Sequence, residues 1–192
     1  MAIFIVLRNM NKKNKKYLFE LSKKNIIILI ILFLAIFVFS YINEKNKYLK
    51  KEIAPKLGLY APNFETVYLN GSKFELYELR GKPVILNFWA TWCPPCVREM
   101  PNLQNFYDKH SNKIIVIGVN LGEKNTTIQK FINKINVTFP IVLDKNKEIE
   151  KKYNLIIRPT TYFIDENGII VDKKLGELKK EEIEERAQKL LK

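Results

Sequence analysis

The sequence is poor in cysteine and histidine, and these two scarcities limit the chemistry. Among 192 residues there are two cysteines and one histidine, His110. Two cysteines are too few for a disulfide framework, and because they occupy positions 93 and 96 they form a local pair or none. A zinc site would need two further ligands, and His110 is the only histidine that could supply one. We therefore expect a chemical role for the cysteine pair, without a bound metal or other cofactor.

The globular part of the chain also lacks a strong excess of charge of either sign. The formal net charge is +13, but residues 1–57 contain 12 Lys and Arg against 3 Asp and Glu. The rest of the chain has 21 basic and 17 acidic residues, which are interspersed as on a solvated surface. No basic stripe with interleaved aromatic residues occurs, so nucleic-acid binding is not expected.

One long apolar run is present near the N-terminus. Residues 26–42 are apolar except for Ser40, and their number lies at the short end of the about 17 to 25 that cross a bilayer. Seven Lys and Arg precede the run and five follow it, a bias that predicts a cytoplasmic N-terminus over residues 1–25 and a domain outside the cytoplasm. A cleaved signal peptide is the alternative, but no A-x-A-like site follows within residues 43–51. We predict an uncleaved signal anchor in the lipid bilayer.

Beyond the apolar run, a polar, Lys-rich spacer over residues 43–57 is expected to lead into one domain over residues 58–192. Hydrophobic periodicity there predicts strands that alternate with helices, and Asn70-Gly71 marks a hairpin turn. The predicted strands cover residues 84–88, 114–119, 139–143, 160–164 and 169–173, and the predicted helices run from Cys96 to about Tyr107 and over residues 126–135, 147–153 and 179–191. This order is typical of an α/β sandwich with a mixed sheet.

The cysteines lie where a buried strand gives way to a helix, in the sequence Thr91-Trp-Cys-Pro-Pro-Cys96. A thiolate is the nucleophile in disulfide exchange, and the first turn of a helix stabilises negative charge through free amides and the helix dipole. Cys93 is therefore predicted to be the activated nucleophile. Cys96, one turn into the helix, is predicted to be more buried and to resolve a mixed disulfide formed at Cys93.

Other uses of the pair fit less well. Covalent haem attachment needs a histidine directly after the second cysteine, where this chain has Val97. A peroxidase of peroxiredoxin type would carry Thr three residues before the first cysteine, where this chain has Ala90. A redox-inactive or metal-carrying binding module on the same scaffold is the alternative from another class.

Two separated motifs carry a family resemblance: FWATWCPPC at residues 88–96, continued by REMP, and RPTTYFID at residues 158–165. They resemble the thioredoxin superfamily, specifically the TlpA/ResA-like membrane-anchored thiol-disulfide oxidoreductases, from about Gly58 to the C-terminus. The resemblance implies a thioredoxin-like α/β/α sandwich, a monomeric domain, and reduction of exported proteins such as apocytochrome c. It further implies electrons from a membrane thiol carrier such as a CcdA-like protein.

The resemblance also implies roles around the second motif. Pro159 is expected to be a cis-proline that faces the cysteines, and Arg158 and Thr160 beside it are expected to bind substrate. Arg158 would favour the thiolate or select acidic partners, or it is a solvated surface charge. Trp92 is expected to form an apolar platform for substrate peptides, whereas Trp89 is expected in the core.

Glu99 is the candidate proton-transfer group. It follows Cys96 by three residues, so both project to about the same helix face, and the family often carries an acid at this position. The alternative is a first-turn Glu that interacts favourably with the helix dipole. Asn87 occupies the strand position where cytosolic thioredoxins carry a buried Asp, and an amide cannot exchange protons. This leaves Glu99 as the better candidate.

Overall fold

The computed structural model describes residues 25–42 and 53–190, which belong to two separate units, Met1–Lys51 and Glu52–Lys192. In the first unit, helix α1 (Asn25–Ile42) is long and apolar enough to cross a membrane. Its side chains are exposed along its whole length. The apolar run predicted over residues 26–42 is therefore a single helix. The basic N-terminus over residues 1–24 and the spacer over residues 43–52 lie outside the described residues.

The second unit is built on a five-stranded sheet with the order β5-β4-β3-β6-β7. β3, β4 and β5 are parallel to one another, whereas β6 and β7 are antiparallel to their neighbours, so the sheet is mixed. The strands are β3 (Val84–Trp89), β4 (Ile115–Asn120), β5 (Ile141–Leu143), β6 (Thr160–Ile164) and β7 (Ile170–Leu175); a hairpin of β1 (Glu65–Val67) and β2 (Lys73–Glu75) precedes them.

Helices cover both faces of the sheet. The parallel order of β3, β4 and β5 requires a crossover after each of the first two strands, and helices α2 and α3 form these crossovers. Two short 3-10 helices, Leu76–Leu79 and Gln188–Leu190, complete the unit. The α-helices are α2 (Pro94–His110), α3 (Asn125–Lys134), α4 (Glu148–Lys152) and α5 (Lys180–Ala187).

The central strand β3 contributes to two apolar cores because successive side chains point to opposite faces. Ile85 and Trp89 belong to the core beneath α2, α3 and α5. Leu86 and Phe88 belong to the core beneath α4 and the β1–β2 hairpin. Since every residue of β3 is buried, the continuous apolar run in the sequence is explained. The predicted α/β sandwich with a mixed sheet is confirmed.

Most element boundaries differ from the sequence-based ones by one to three residues, and three of the differences have a clear description. β5 begins at Ile141, two residues later than predicted, because Pro140 has no N–H for a sheet ladder. The last α-helix ends at Ala187 and continues as a 3-10 turn. Residues 53–57, assigned to the spacer, lie within the second unit, where Ile53 forms a bridge to Tyr60. This bridge depends on how the chain folds back on itself, which hydrophobic periodicity does not report.

Candidate active site

The two cysteines form a disulfide at the junction of β3 and α2, with their Cα atoms 5.3 Å apart. Cys93 is the residue that caps the N-terminus of α2, in an extended conformation. Pro94 and Pro95 follow as the first two helical residues, where the lack of an N–H costs no intrahelical hydrogen bond. The chain therefore places the first sulfur at the positive end of the helix dipole.

The two sulfurs differ in their access to solvent. Cys93 is 5 % exposed, whereas Cys96 is fully buried and packs in the core with Met100 and Leu103. A substrate disulfide that approaches from solvent therefore meets Cys93 first. Cys96 lies behind it, within reach of the Cys93 sulfur, as the bond between them demonstrates.

Glu99 is fully buried one turn beyond Cys96 on α2. Its carboxylate accepts hydrogen bonds from the Asn87 side-chain amide at 2.7 Å and from the Leu178 backbone N–H at 2.8 Å. Burial raises the pKa of Glu99 to about 7, although the hydrogen bonds from Leu178 and Asn87 oppose the rise. Near neutral pH this carboxyl is therefore able both to accept and to release a proton.

Asn87 connects the buried acid to the sheet. Its Nδ2 atom donates to Glu99 and also to the Thr161 hydroxyl at 2.9 Å, so the network links β3, α2 and β6. Its Oδ1 atom is buried and has no hydrogen-bond partner. Since an unpaired buried acceptor is unfavourable, rotation of the amide to place Oδ1 against a protonated Glu99 would satisfy it. Asn87 thus offers a donor to the ionised form of Glu99 and an acceptor to the protonated form.

The Arg158–Pro159 peptide bond is cis, as the resemblance implies. Phe88 pairs with Thr160 across β3 and β6, which puts Pro159 beside the end of β3 that leads into the cysteines. The Pro159 carbonyl accepts a hydrogen bond from the Gly176 N–H at 2.9 Å, so the end of β7 holds this loop. The two motifs that lie about 65 residues apart in the sequence therefore meet at one edge of the sheet.

Trp92 and Arg158 lie together on the outer side of the site. The Trp92 side chain is 63 % exposed, and the Arg158 guanidinium carbon lies 5.8 Å from the centre of its ring, within cation–π range. Arg158 also forms an ion pair with Glu150 of α4. The positive charge of Arg158 is therefore paired with a carboxylate. It is neither a fully solvated surface charge nor a charge that acts on the sulfurs alone.

The sequence analysis expected Thr160 to bind substrate, but its side chain does not reach the surface. Thr160 is buried, and its hydroxyl donates to the Ile157 carbonyl at 2.7 Å. As the first residue of β6 it has a neighbour on each side, so its side chain stabilises the turn before Pro159. Trp89 is fully buried in the core, as expected.

Sequence reasoning missed two contacts that bear on the site. Glu150 pairs with Arg158, and Glu123 binds the loop that contains Thr91. A signal for Glu123 existed: it directly follows a buried strand parallel to β3, so it had to lie at the same sheet edge as the cysteines. No comparable pattern singles out Glu150.

The side chains of residues 25–42 and 53–190 do not form a metal-binding cluster. No group of three or more His, Cys, Asp or Glu side chains is arranged there to hold a metal ion. His110 lies far along α2, where its Nε2 atom is 3.2 Å from a Glu184 oxygen and its ring packs against Phe106. The donors of the metal-carrying alternative are therefore not assembled in this part of the chain.

A paired dithiol at a helix N-terminus, a cis-proline beside it and a mixed sheet define a thioredoxin-like thiol-disulfide oxidoreductase. The chain belongs to the AhpC/TSA family, whose model matches residues 57–173. It is 38% identical over 144 residues to thiol-disulfide oxidoreductase ResA of Bacillus cereus, which covers 74% of this chain and 83% of that protein. It is 40% identical over 147 residues to thioredoxin-like protein YneN of Bacillus subtilis, with 75% and 86% covered.

Solved structures agree with this assignment. The putative thiol:disulfide interchange protein DsbE from Chlorobium tepidum superposes with a TM-score of 0.67 at 28% identity, covering 71% of this chain and 99% of that one. StoA from Bacillus subtilis gives a TM-score of 0.59 at 35% identity, with 66% and 96% covered. The substrates of the chain are accordingly thiols and disulfides.

Proposed function

We propose that this chain is a membrane-anchored reductant of disulfides in exported proteins. The observation that carries the proposal is the Cys93–Cys96 pair itself, in which Cys93 retains slight exposure, Cys96 is fully buried, and a buried carboxyl follows one turn later on α2. This division of exposure suits one nucleophilic and one resolving thiol.

In the proposed reaction, the Cys93 thiolate attacks one sulfur of a substrate disulfide. A Cys93–substrate bond forms, the substrate S–S bond breaks, and the departing sulfur leaves as a thiolate that takes a proton. Cys96 then loses its proton and attacks the Cys93 sulfur, which releases the second substrate thiol. The substrate gains two electrons and two protons, and the protein is left with the Cys93–Cys96 disulfide.

Glu99 is proposed to accept the proton that Cys96 releases. It lies one turn beyond Cys96 on the same helix, and its pKa of about 7 leaves a substantial ionised fraction at neutral pH. A carboxyl with an ordinary pKa would be a weaker base. The alternative role, interaction with the helix dipole, is less well supported because both carboxylate oxygens are engaged by Asn87 and Leu178.

Substrate peptides are proposed to dock on the exposed face of Trp92 and along the backbone beside Pro159. The large exposed indole offers apolar contact area beside the reactive sulfur. The ion pair between Arg158 and Glu150 lowers the net charge of this surface, which favours partners with apolar residues next to their cysteines. Arg158 contributes by holding the Trp92 ring.

The proposed location is the outer face of a cell membrane. Helix α1 and the basic excess before it support a signal anchor with residues 1–25 in the cytoplasm and the thioredoxin-like domain, here beginning near Ile53, outside. A membrane thiol carrier of CcdA-like type is the proposed electron donor, because each turnover leaves the pair oxidised. Apocytochrome c is the proposed client by resemblance to ResA-like proteins.

The proposal is tested by trapping partners on the full-length chain in its native membrane. In a Cys96→Ser variant the mixed disulfide on Cys93 cannot be resolved, so covalent adducts should accumulate. We expect adducts with exported proteins that contain cysteine pairs, cleaved by dithiothreitol and identified by mass spectrometry. Cys93→Ser is the matched control and should trap none. Equal trapping by both variants, or adducts only with cytoplasmic proteins, would contradict the proposal.

A further inference from the structure

Glu123 contacts Thr91, two residues before Cys93, although Glu123 and Thr91 are 32 positions apart in the sequence. β3 and β4 are parallel, and Trp89 pairs with Asn120 at their ends. The loops that follow the two strands therefore leave the sheet side by side. One loop carries Thr91, Trp92 and Cys93, and the other carries Glu123.

The Glu123 carboxylate binds the loop before Cys93 with both oxygens. Oε2 accepts from the Thr91 backbone N–H at 2.7 Å, and Oε1 accepts from the Thr91 hydroxyl. Buried Asn120 fixes the carboxylate in turn: its Nδ2 donates to Oε2 at 2.8 Å, and its Oδ1 accepts from the Glu123 N–H at 3.3 Å. This set of bonds fixes the backbone two residues before the reactive sulfur.

An alternative explanation is that Glu123 serves helix α3, which begins two residues later. The hydrogen bonds argue against it. The amides of Thr127 and Ile128 at the start of α3 donate to the Lys124 carbonyl and not to Glu123. Both carboxylate oxygens of Glu123 are directed at Thr91 and Asn120 instead.

The charge of Glu123 is not neutralised by an ion pair within the described residues. All of its hydrogen-bond donors are neutral groups, and the nearby basic residues Lys124 and Lys145 line a shallow, open cavity with it. A negative charge held against Thr91, two residues before Cys93, disfavours the thiolate form of Cys93. A less stable thiolate makes a dithiol pair more reducing.

We propose that Glu123 is a positioning residue of the redox site, which holds the Thr91–Cys93 loop in place and makes the cysteine pair more reducing through its charge. The inference rests on the proposed reductant function. It assigns this partly buried side chain a second role, electrostatic as well as structural.

The test compares Glu123→Gln with the wild-type protein. Gln keeps the contacts, because its Oε1 accepts from the Thr91 N–H and its Nε2 donates to the Thr91 hydroxyl, but it removes the charge. We expect the thiol pKa of Cys93, read from the pH dependence of its alkylation rate, to fall. We also expect the equilibrium constant with glutathione to change by about threefold or more in favour of the reduced dithiol. A pair that is more easily reduced in this way is a more oxidising pair.

Glu166→Gln is the matched control. It removes the same charge from the exposed turn between β6 and β7, at the opposite end of the sheet, and should shift neither value. A purely structural role for Glu123 would leave the thiol pKa and the glutathione equilibrium of Glu123→Gln at wild-type values. Unchanged values of this kind would overturn the inference. So would a shift toward a more reducing pair, or a Glu123→Gln protein that does not fold.

Glu123→Asp tests the positioning part separately. Asp keeps the charge but is one methylene shorter, so it cannot reach both Thr91 donors without moving the loop. We expect a thiol pKa close to wild type and a disulfide-reduction rate at least about threefold lower. A wild-type rate would refute the positioning role.

Failure of the proposed function would look different. In that case the wild-type protein itself would reduce no disulfide, whereas failure of the inference alone would leave an active protein whose Glu123 variants behave like wild type.

Discussion

At the residue scale, the division of roles between the cysteines depends on a small difference in exposure. Cys93, at the N-terminus of α2, retains slight exposure, whereas Cys96 is fully buried among the apolar side chains of the core. Burial disfavours a thiolate, and the helix N-terminus favours one. Both effects act in the same direction, toward Cys93 as the reactive thiol.

The first prediction concerns the reactivity of the two thiols. In the reduced, folded protein we expect iodoacetamide to modify Cys93 more than about tenfold faster than Cys96. Mass spectrometry of the digested protein measures both rates, and the single variants Cys93→Ser and Cys96→Ser report each thiol alone. Equal rates, or faster modification of Cys96, would refute the assigned roles.

Glu99 shows how burial changes the chemistry of a single carboxyl. Its pKa of about 7 means that the folded protein holds a proton there at pH values where the unfolded chain has lost it. The free energy of unfolding therefore decreases as the pH rises from about 4.5 to about 7. At 1.36 kcal/mol per pKa unit, the decrease attributable to Glu99 is on the order of 3 kcal/mol.

The second prediction follows from this decrease in the free energy of unfolding with rising pH. Glu99→Gln cannot titrate, so we expect its free energy of unfolding, relative to wild type, to rise as the pH increases through this window. Urea unfolding of the oxidised proteins at several pH values gives the measurement, with exposed Glu185→Gln as the control. Parallel stability curves for wild type and Glu99→Gln would show that Glu99 has an ordinary pKa.

At the scale of single elements, the first turn of α2 is unusual because it contains two prolines. Pro94 and Pro95 have no N–H, so this turn offers two fewer donors to the Cys93 thiolate than most helix N-termini would. Fewer donors stabilise the thiolate less. The helix dipole opposes this effect, and the ion pair of Arg158 with Glu150 reduces what a nearby cation would add.

The third prediction is that the wild-type pair lies nearer the reducing end of the known range, about −270 mV, than the oxidising end, about −120 mV. Pro94→Gly restores one amide and should make the pair more oxidising. Equilibration in glutathione buffers measures both proteins. Pro101→Ala restores an amide on the same helix, on an exposed residue two turns further along, and should have no effect. A strongly oxidising wild-type pair, or a more reducing Pro94→Gly, would refute the argument.

Most elements of the fold could be predicted from the sequence because their signals are local. The apolar run of β3, the helical spacing after Cys96 and the hairpin turn at Asn70-Gly71 each depend on neighbouring residues. The Glu123–Thr91 contact joins residues that are 32 positions apart, so hydrophobic periodicity does not report it. The Glu150–Arg158 ion pair joins nearby segments, but it depends on how the chain turns between α4 and β6, which periodicity does not report either. The buried position of Thr160 was missed for the same reason.

At the scale of the whole molecule, the sequence divides into an apolar helix and a compact redox domain. Such a division suits an enzyme that is retained at a membrane and acts on proteins that have crossed it. The excess of basic residues before the helix is the basis for the proposed orientation, with the domain outside the cytoplasm.

The fourth prediction is the topology of the full chain. A reporter that is active only outside the cytoplasm should be active when fused after Lys192 and inactive when fused before Met1. The chain should also stay in the membrane fraction after alkaline washing, because helix α1 is retained. A C-terminal reporter active only in the cytoplasm, or a mature chain that lacks residues 1–42, would contradict the anchor.

The central claim, that Cys93 and Cys96 together carry out disulfide exchange, is tested most directly by a stoichiometric reaction of the purified, reduced full-length protein with oxidised glutathione. Each wild-type chain should yield two molecules of reduced glutathione and an internal disulfide. Cys96→Ser should stop at one glutathione bound to Cys93, and Cys93→Ser should react far more slowly. A wild-type protein that forms no internal disulfide, or a Cys93→Ser variant that reacts at the wild-type rate, would contradict the account.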